Sequence, residues 1–446
     1  METASDRIEP FPDAEALAAE LDLDQLTAIP EIALEPAAQT STPPRPRSGR
    51  AGPRPRPRRR RLSATARKEL LWITVIYLAV HLGLLLIAYL QNSSLTDHSF
   101  LNELANWDGK WYRELANKGY PAYVSHGQTT LGFFPLYPLT IWVVEHLISP
   151  FLGSAPIWWS ATIAGALISC VGGLVATVLV HRLADGWWGR AVARRATVLF
   201  VVSPGAVVFT MVYSEGLLLP LAAGCIYALQ KRRWLLAGVL AGFGTAVQPV
   251  GLVLVPVCLV SAALELRRHG WRSRSARRSL IAPALSGTGM ASFMAFLWLW
   301  AGNPFANYIA QHHGWGEKTS LLALLHTTTK LAGQISFSHF DHPTINLNLV
   351  LGLIGAVVLV MLLVLLWFCR REVSAEAITW TLAISFLAFT SSNVPPNPRM
   401  LLTAFPALLT IARYAEGRWF IVIAWINAAL LFGLSLLTFY GLTLRP

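Results

Sequence analysis

The 446-residue chain is 54% hydrophobic and only 13% charged, with a mean hydropathy of +0.48. No soluble core hides that much apolar surface, so the composition points to a membrane-embedded protein and excludes extensive disorder, a disulfide framework and a nucleic-acid-binding domain. The formal net charge of +12 hints at nucleic acid, but only the location of the bases decides its meaning.

Residues 1–68 read as a disordered cytoplasmic tail. Met1 to Thr40 carries ten acids and one base, with short amphipathic turns conceivable around Leu17, Leu21 and Leu26. Ser41 to Arg61 carries nine arginines, many prolines and no acid. Such a stretch packs no core. Hydrophobic spans follow at once, so a polybasic tail that touches anionic lipid is preferred over a nucleic-acid arm. No N-terminal signal peptide is expected, because the first long apolar stretch begins near Leu70.

Residues 69–446 form the expected membrane domain. A spanning helix needs about 20 mostly apolar residues. The candidates are Leu70 to Leu90, Ile157 to Val180, Ala196 to Met211, Gly216 to Leu229, Trp234 to Val247 and Gly251 to Leu264. Leu280 to Trp300, Leu347 to Phe368, Ala377 to Phe389, Leu401 to Ile411 and Trp419 to Tyr440 complete the set. Phe133 to Ile148 is ambiguous, because it carries Pro135, Pro138, Glu145 and His146.

Charge decides its status. The segments Arg182 to Arg195, Lys231 to Arg233, Arg267 to Arg278, Arg370 to Arg371 and Arg413 to Arg418 hold seventeen bases. Bases prefer the cytoplasmic side. All five segments join the tail there only if Phe133 to Ile148 does not cross. The expectation is therefore eleven spans, N-terminus inside and C-terminus outside, with Phe133 to Ile148 interfacial or re-entrant. Two large external loops result, Gln91 to about Pro156 and about Ala301 to Asn346. The cysteines Cys170, Cys225, Cys258 and Cys369 lie in or at the ends of apolar runs, fit no zinc spacing, and read as buried free thiols.

Chemistry concentrates in a few external motifs. The first loop holds Asn106-Trp107-Asp108-Gly109-Lys110-Trp111-Tyr112. Tryptophans offer flat faces to a sugar and also anchor at the membrane interface. A carboxylate against an apolar surface gains basicity, which suits a general base, though Asp108 can equally cap a helix. The stretch Leu131-Gly132-Phe133-Phe134-Pro135-Leu136-Tyr137-Pro138-Leu139 either lines a site or anchors a helix at the headgroups. Glu215 stands at the outer end of a span, as a functional acid or as an exposed one. Arg399 follows a turn with three prolines, where it suits a phosphate clamp or a snorkelling role. His312 and His313, beside Trp315, do not face one way on a helix, so a shared metal site is not expected, while one of them can bond a phosphate or sugar.

With these motifs in order, the chain resembles the PIG-V-type mannosyltransferases of the GT-C superfamily from Leu70 to the C-terminus. The resemblance rests on Trp107-Asp108-Gly109 with Trp111-Tyr112, on Phe133 to Pro138, on Ser203-Pro204 through Tyr213-Ser214-Glu215, and on Asn397-Pro398-Arg399 with Leu401 to Pro406. It implies an all-α polytopic membrane protein with interfacial helices in the first external loop. It also implies an inverting transfer of a sugar, mannose in the family, from a polyprenyl-phosphate donor to a hydroxyl on the outer face of the plasma membrane. Asp108 would activate that hydroxyl. Arg399, with His312 or His313, would hold the donor phosphate. Trp107, Lys110, Trp111, Tyr112, Tyr137 and Glu215 complete the substrate-binding set. The acceptor, whether glycolipid, glycan or protein, does not carry over. No cofactor is implied, and a divalent metal stays open. Where relatives often carry a basic residue before Pro or Ser and Gly, this chain has Gln248-Pro249-Val250-Gly251, which puts one donor contact in doubt.

Two other readings stand beside it. A transporter or flippase calls for polar groups at mid-membrane depth, and the spans offer little beyond Gln248 and the small residues Gly242 to Thr245. An inactive assembly subunit that keeps the fold is supported by Gln248.

Overall fold

The computed structural model describes residues 64–95, 100–124, 126–153, 156–335, 346–392, 395–440 and 444. The readings for the acidic and Arg/Pro-rich segments fall outside these residues. The first helix already includes residues 64–68, which the sequence reading gives to the tail.

The regular elements of the described residues are helices. They open with α1 (Ala64–Leu95). The first loop contributes α2 (Phe100–Leu104), α3 (Asp108–Lys118) and α4 (Leu136–Ile148). Then follow α5 (Ile157–Trp188), α6 (Arg190–Val201), α7 (Glu215–Gln230), α8 (Trp234–Thr245) and α9 (Leu254–His269). Short α10 (Arg274–Ser279) and α11 (Ile281–Ser286) lead into α12 (Thr288–Ala301). The second loop carries α13 (Ala306–Ile309) and α14 (Ala323–Ile335). The chain finishes with α15 (Leu347–Phe368), α16 (Ala375–Thr390), α17 (Pro398–Thr403), α18 (Phe405–Tyr414) and α19 (Gly417–Tyr440).

Among the described residues, six helical segments are long and apolar enough to cross a bilayer: Ala64–Leu90, Ile157–Trp188, Pro249–His269, Arg274–Ala301, Leu347–Phe368 and Gly417–Phe439. Helices α7, α8 and α16 are shorter and apolar. The chain is thus built as an all-α integral membrane protein. Among the expected spans, Leu280 to Trp300 is interrupted at Gly287, between α11 and α12, and two others are broken more sharply. Ala196 to Met211 breaks after Val201, where Ser203 turns extended and Pro204 opens a 3-10 turn ending at Phe209. Leu401 to Ile411 breaks at Ala404, between α17 and α18. Proline supplies no N–H and clashes with the preceding turn, so Pro204 and Pro406 each force a restart. The two broken segments pack on one another, α17 against the 3-10 turn and α18 against α6. Helix α4 has 13 residues, about 20 Å of length, well short of the ~30 Å hydrocarbon core.

Close helix approach sets the positions of the polar ends. Helices α5 and α7 cross where a Cβ on Gly172 would lie 1.7 Å from the Gly216 carbonyl oxygen. Only glycine permits that contact, and it fixes Glu215 next to the crossing. At the far end of α7, the Gln230 amide donates to Ser374 Oγ at 2.9 Å. That same end gathers the basic segments. Arg194 pairs with Glu69 at 2.6 Å, Arg195 with Glu416 at 2.9 Å, and Arg413 with Glu372 at 2.9 Å. All four cysteines are free, and three are buried while Cys170 is only half-buried. Cys225 and Cys258, far apart in sequence, bring their sulfurs to 3.8 Å.

Candidate active site

A cavity of about 730 Å³ opens at the end of the bundle that carries Glu215. Its wall brings together Trp107, Asp108, Lys110, Trp111, Gln248 and Arg399. Asp108 and Arg399 form an ion pair, with Nη1 donating to Oδ2 at 2.7 Å. The Arg399 Nε lies 3.6 Å from Glu215 Oε1. One guanidinium therefore stands between two carboxylates, and its plane also rests over the Tyr213 ring at 5.4 Å. Burial works against the Arg399 charge, but Glu215 and Asp108 outweigh it and hold its pKa above the usual arginine value. The Asp108 side chain is 36% exposed toward the cavity, Arg399 is 19% exposed, and Glu215 only 4%.

Local backbone explains how the pair meets. Trp107 has φ 54°, in the left-handed region that side chains other than glycine rarely adopt. That strained turn starts α3 at Asp108. The tight turn thus falls on Trp107, while Gly109 has a different use: a Cβ there would meet the Val212 carbonyl oxygen at 3.1 Å. Asp108 does not cap its helix. No side-chain cap bond closes the α3 N-terminus, and the carboxylate goes to Arg399 instead. On the other side, Asn397 caps α17 by accepting from the Met400 N–H at 2.9 Å. Pro398 then sits at the first turn, where its missing N–H costs little, and Arg399 follows. Gly205 lets the 3-10 turn press against this corner, since a Cβ there would lie 2.3 Å from the Pro398 carbonyl oxygen.

A chain of hydroxyls runs behind the cavity. Tyr112 donates to Ser214 Oγ at 2.8 Å, and Ser214 donates to Gln248 Oε1 at 3.0 Å. Gln248 thus lines the cavity as a neutral amide tied to the motif before Glu215. Tyr112 lies on the wall, but Tyr137 does not. Tyr137 is fully buried, bonding the Gly165 carbonyl at 3.0 Å and Ser169 Oγ at 2.8 Å, so it holds α4 on α5 rather than facing a ligand. Among the described residues no carboxylate pairs with Lys110, which is exposed at the cavity rim.

The second loop closes over the first. Gln311 donates to the Gly132 carbonyl at 2.6 Å, and Asn307 to the Leu131 carbonyl at 2.8 Å. Trp315 packs edge-on against Trp111 and Phe133, with ring centres 4.9 and 5.5 Å apart. Glu317 accepts from Ser391 Oγ at 2.6 Å, and burial raises its pKa above the usual carboxylate value. His312 and His313 do not line this cavity. A wide helical turn over Ala310–Gly314 directs Gln311 and Trp315 to the wall, while His312 contacts Tyr308 and His313 contacts His126. Sequence reasoning singles out neither Gln311 nor Glu317, because single polar residues in a loop carry no spacing signal. Among the described residues, no three His, Cys, Asp or Glu side chains gather as a metal site.

The sequence pattern of the family Mannosyltransferase (PIG-V) matches residues 86–318, more than half of the chain. The chain belongs to the PIG-V mannosyltransferase family. The matched region includes Asp108, Glu215 and Gln248, while Arg399 joins them from beyond it. No curated protein matches the chain. Among solved structures, ArnT from Cupriavidus metallidurans bound to undecaprenyl phosphate is 15% identical, with a TM-score of 0.47 over 80% of this chain and 63% of ArnT. The archaeal oligosaccharyltransferase AglB from Archaeoglobus fulgidus, in complex with an inhibitory peptide and a dolichol-phosphate, is 13% identical, with a TM-score of 0.38 over 82% of this chain and 55% of AglB. The chain thus spans less than two thirds of the length of either.

Proposed function

We propose that this PIG-V family member is a membrane glycosyltransferase. It moves a sugar, mannose by family analogy, from a polyprenyl-phosphate donor to a hydroxyl acceptor on the outer face of the membrane, with inversion. The observation that carries the reading is the Asp108–Arg399 pair, a base and an anion clamp brought together on one cavity wall.

The chemistry is a one-step displacement. The acceptor oxygen attacks the anomeric carbon as the bond to the phosphate oxygen breaks. That bond's electron pair leaves with the phosphate, and the acceptor proton goes to Asp108. Arg399 and Lys110 supply positive charge where the leaving phosphate gains negative charge. Trp107 and Trp111 offer flat faces to the sugar. Beside the cavity runs an apolar groove of about 620 Å³, lined by Pro135, Leu139, Phe243, Ala246, Phe293 and Phe296. The Leu136 N–H donates to the Ala246 carbonyl at 3.0 Å and ties the two sides of this groove together. Such a groove suits the prenyl tail. His312 and His313 take no part in this scheme, since Gln311 and Trp315 are the wall residues of that turn.

Orientation follows from charge. Arg194, Arg195, Arg232 and Arg413 pair with acids near the Gln230 end of the 16-residue α7, and the cavity lies near its Glu215 end. The positive-inside preference then supports a cytoplasmic N-terminus and an external cavity. The test is transfer from a panel of radiolabelled polyprenyl-phosphate sugars to native membrane extract, with and without a chelator. The expected result is one labelled acceptor product with mannose preferred. Substrate crossing liposomes without any product would replace this reading with a transporter.

A further inference from the structure

Glu215 has no evident task in the main cavity. Its carboxylate faces a second, small cavity of about 60 Å³ on the inner side of Arg399, bounded by Gln248, Met400 and Thr403. That space is enough for a water molecule. Glu215 Oε1 lies 3.6 Å from Arg399 Nε, and Oε2 is buried without a hydrogen-bond partner among the described residues. A buried carboxylate is costly unless paired, and the charge at hand is the Arg399 guanidinium.

The two edges of the guanidinium are unequal. The Nε edge meets a buried acid, and the Nη1 edge meets an acid that is open to the cavity. Only the outer partner can be exchanged for an arriving anion without leaving a bare charge inside the protein. We propose that Glu215 is a positioning residue: it anchors the Nε edge of Arg399 so that the Nη1 edge can leave Asp108 for a donor phosphate. The swap forms and breaks no covalent bond. It releases Asp108 to accept the acceptor proton only once the donor phosphate is in place, so donor binding precedes chemistry. This rests on the donor reading above.

The experiment uses the full-length protein in nanodiscs and farnesyl phosphate as the probe. Glu215→Gln, Arg399→Gln and the double variant are compared for probe affinity and unfolding midpoint. The expected result is a loss of affinity of about tenfold or more in each single variant, with the double variant no weaker than Arg399→Gln. Losses that add, or unchanged affinity in Glu215→Gln, overturn the proposal. If Glu215→Gln does not fold, Glu215→Asp retracts the charge from Nε, and the same non-additivity with Arg399→Gln is expected. If the wild type does not bind farnesyl phosphate, the donor reading fails. The swap falls with it, whereas binding by the wild type together with unchanged affinity in Glu215→Gln overturns the positioning role alone.

Discussion

Arg399 reaches across 291 positions of sequence to donate a 2.7 Å hydrogen bond to Asp108. The candidate base is therefore paired with the candidate phosphate clamp. The same contact that keeps Asp108 from carrying an uncompensated charge must open for Asp108 to act.

Asp108→Asn keeps the shape of the side chain and removes the proton acceptor. Transfer should fall about 10²–10⁴-fold, the usual range for loss of a general base. Elution on size exclusion should match the wild type. Turnover near the wild-type rate would sink the mechanism.

Arg399→Lys keeps a positive charge but loses the planar fork that spans Nε and Nη1. A single ammonium cannot reach both Glu215 and Asp108 in the same way. Donor affinity should drop about tenfold or more, since one bidentate edge is gone. A competition titration with a polyprenyl phosphate reads the change directly, and equal affinity of the two proteins contradicts it.

Gly205→Ala touches no ligand. Its new methyl would lie 2.3 Å from the Pro398 carbonyl oxygen, a backbone atom that cannot swing away. The corner carrying Arg399 must shift, at a cost of about 1–3 kcal/mol. A lower unfolding midpoint together with weakened transfer is expected. A variant with both properties unchanged would show that the corner tolerates the displacement.

Glu317→Gln tests the cover over the cavity. Burial raises the Glu317 pKa above its usual 4.5, although the bond from Ser391 pulls the other way. A carboxylate with a raised folded pKa stabilises the fold below the unfolded value, and that contribution is lost as pH rises through the folded value. The amide keeps an acceptor for Ser391 and carries no charge at any pH. The midpoint of Glu317→Gln should therefore gain on the wild type as pH rises from 4.5 to 7. A difference that stays flat over this interval argues against the charge as the cause.

Particular residues show what was legible beforehand. The Trp107-Asp108-Gly109 and Asn397-Pro398-Arg399 motifs are local, so a single sequence displays them. Tyr137 belongs to an equally clear motif but spends its hydroxyl on Gly165 and Ser169, because side-chain direction depends on which helix packs alongside. Gln311 and Glu317 had no local signal at all, and they reach the site only because the second loop folds over the first. Composition alone determined the membrane class, since 54% hydrophobic residues leave no other medium for the chain. Apolar runs and proline positions set most helices and their breaks, because those depend on neighbours in sequence. Only tertiary structure decided that Arg399 serves two carboxylates, that Glu215 lies behind it and that the histidines turn away. Burial and charge pairing are relations between distant segments, and no local pattern encodes the distance between them.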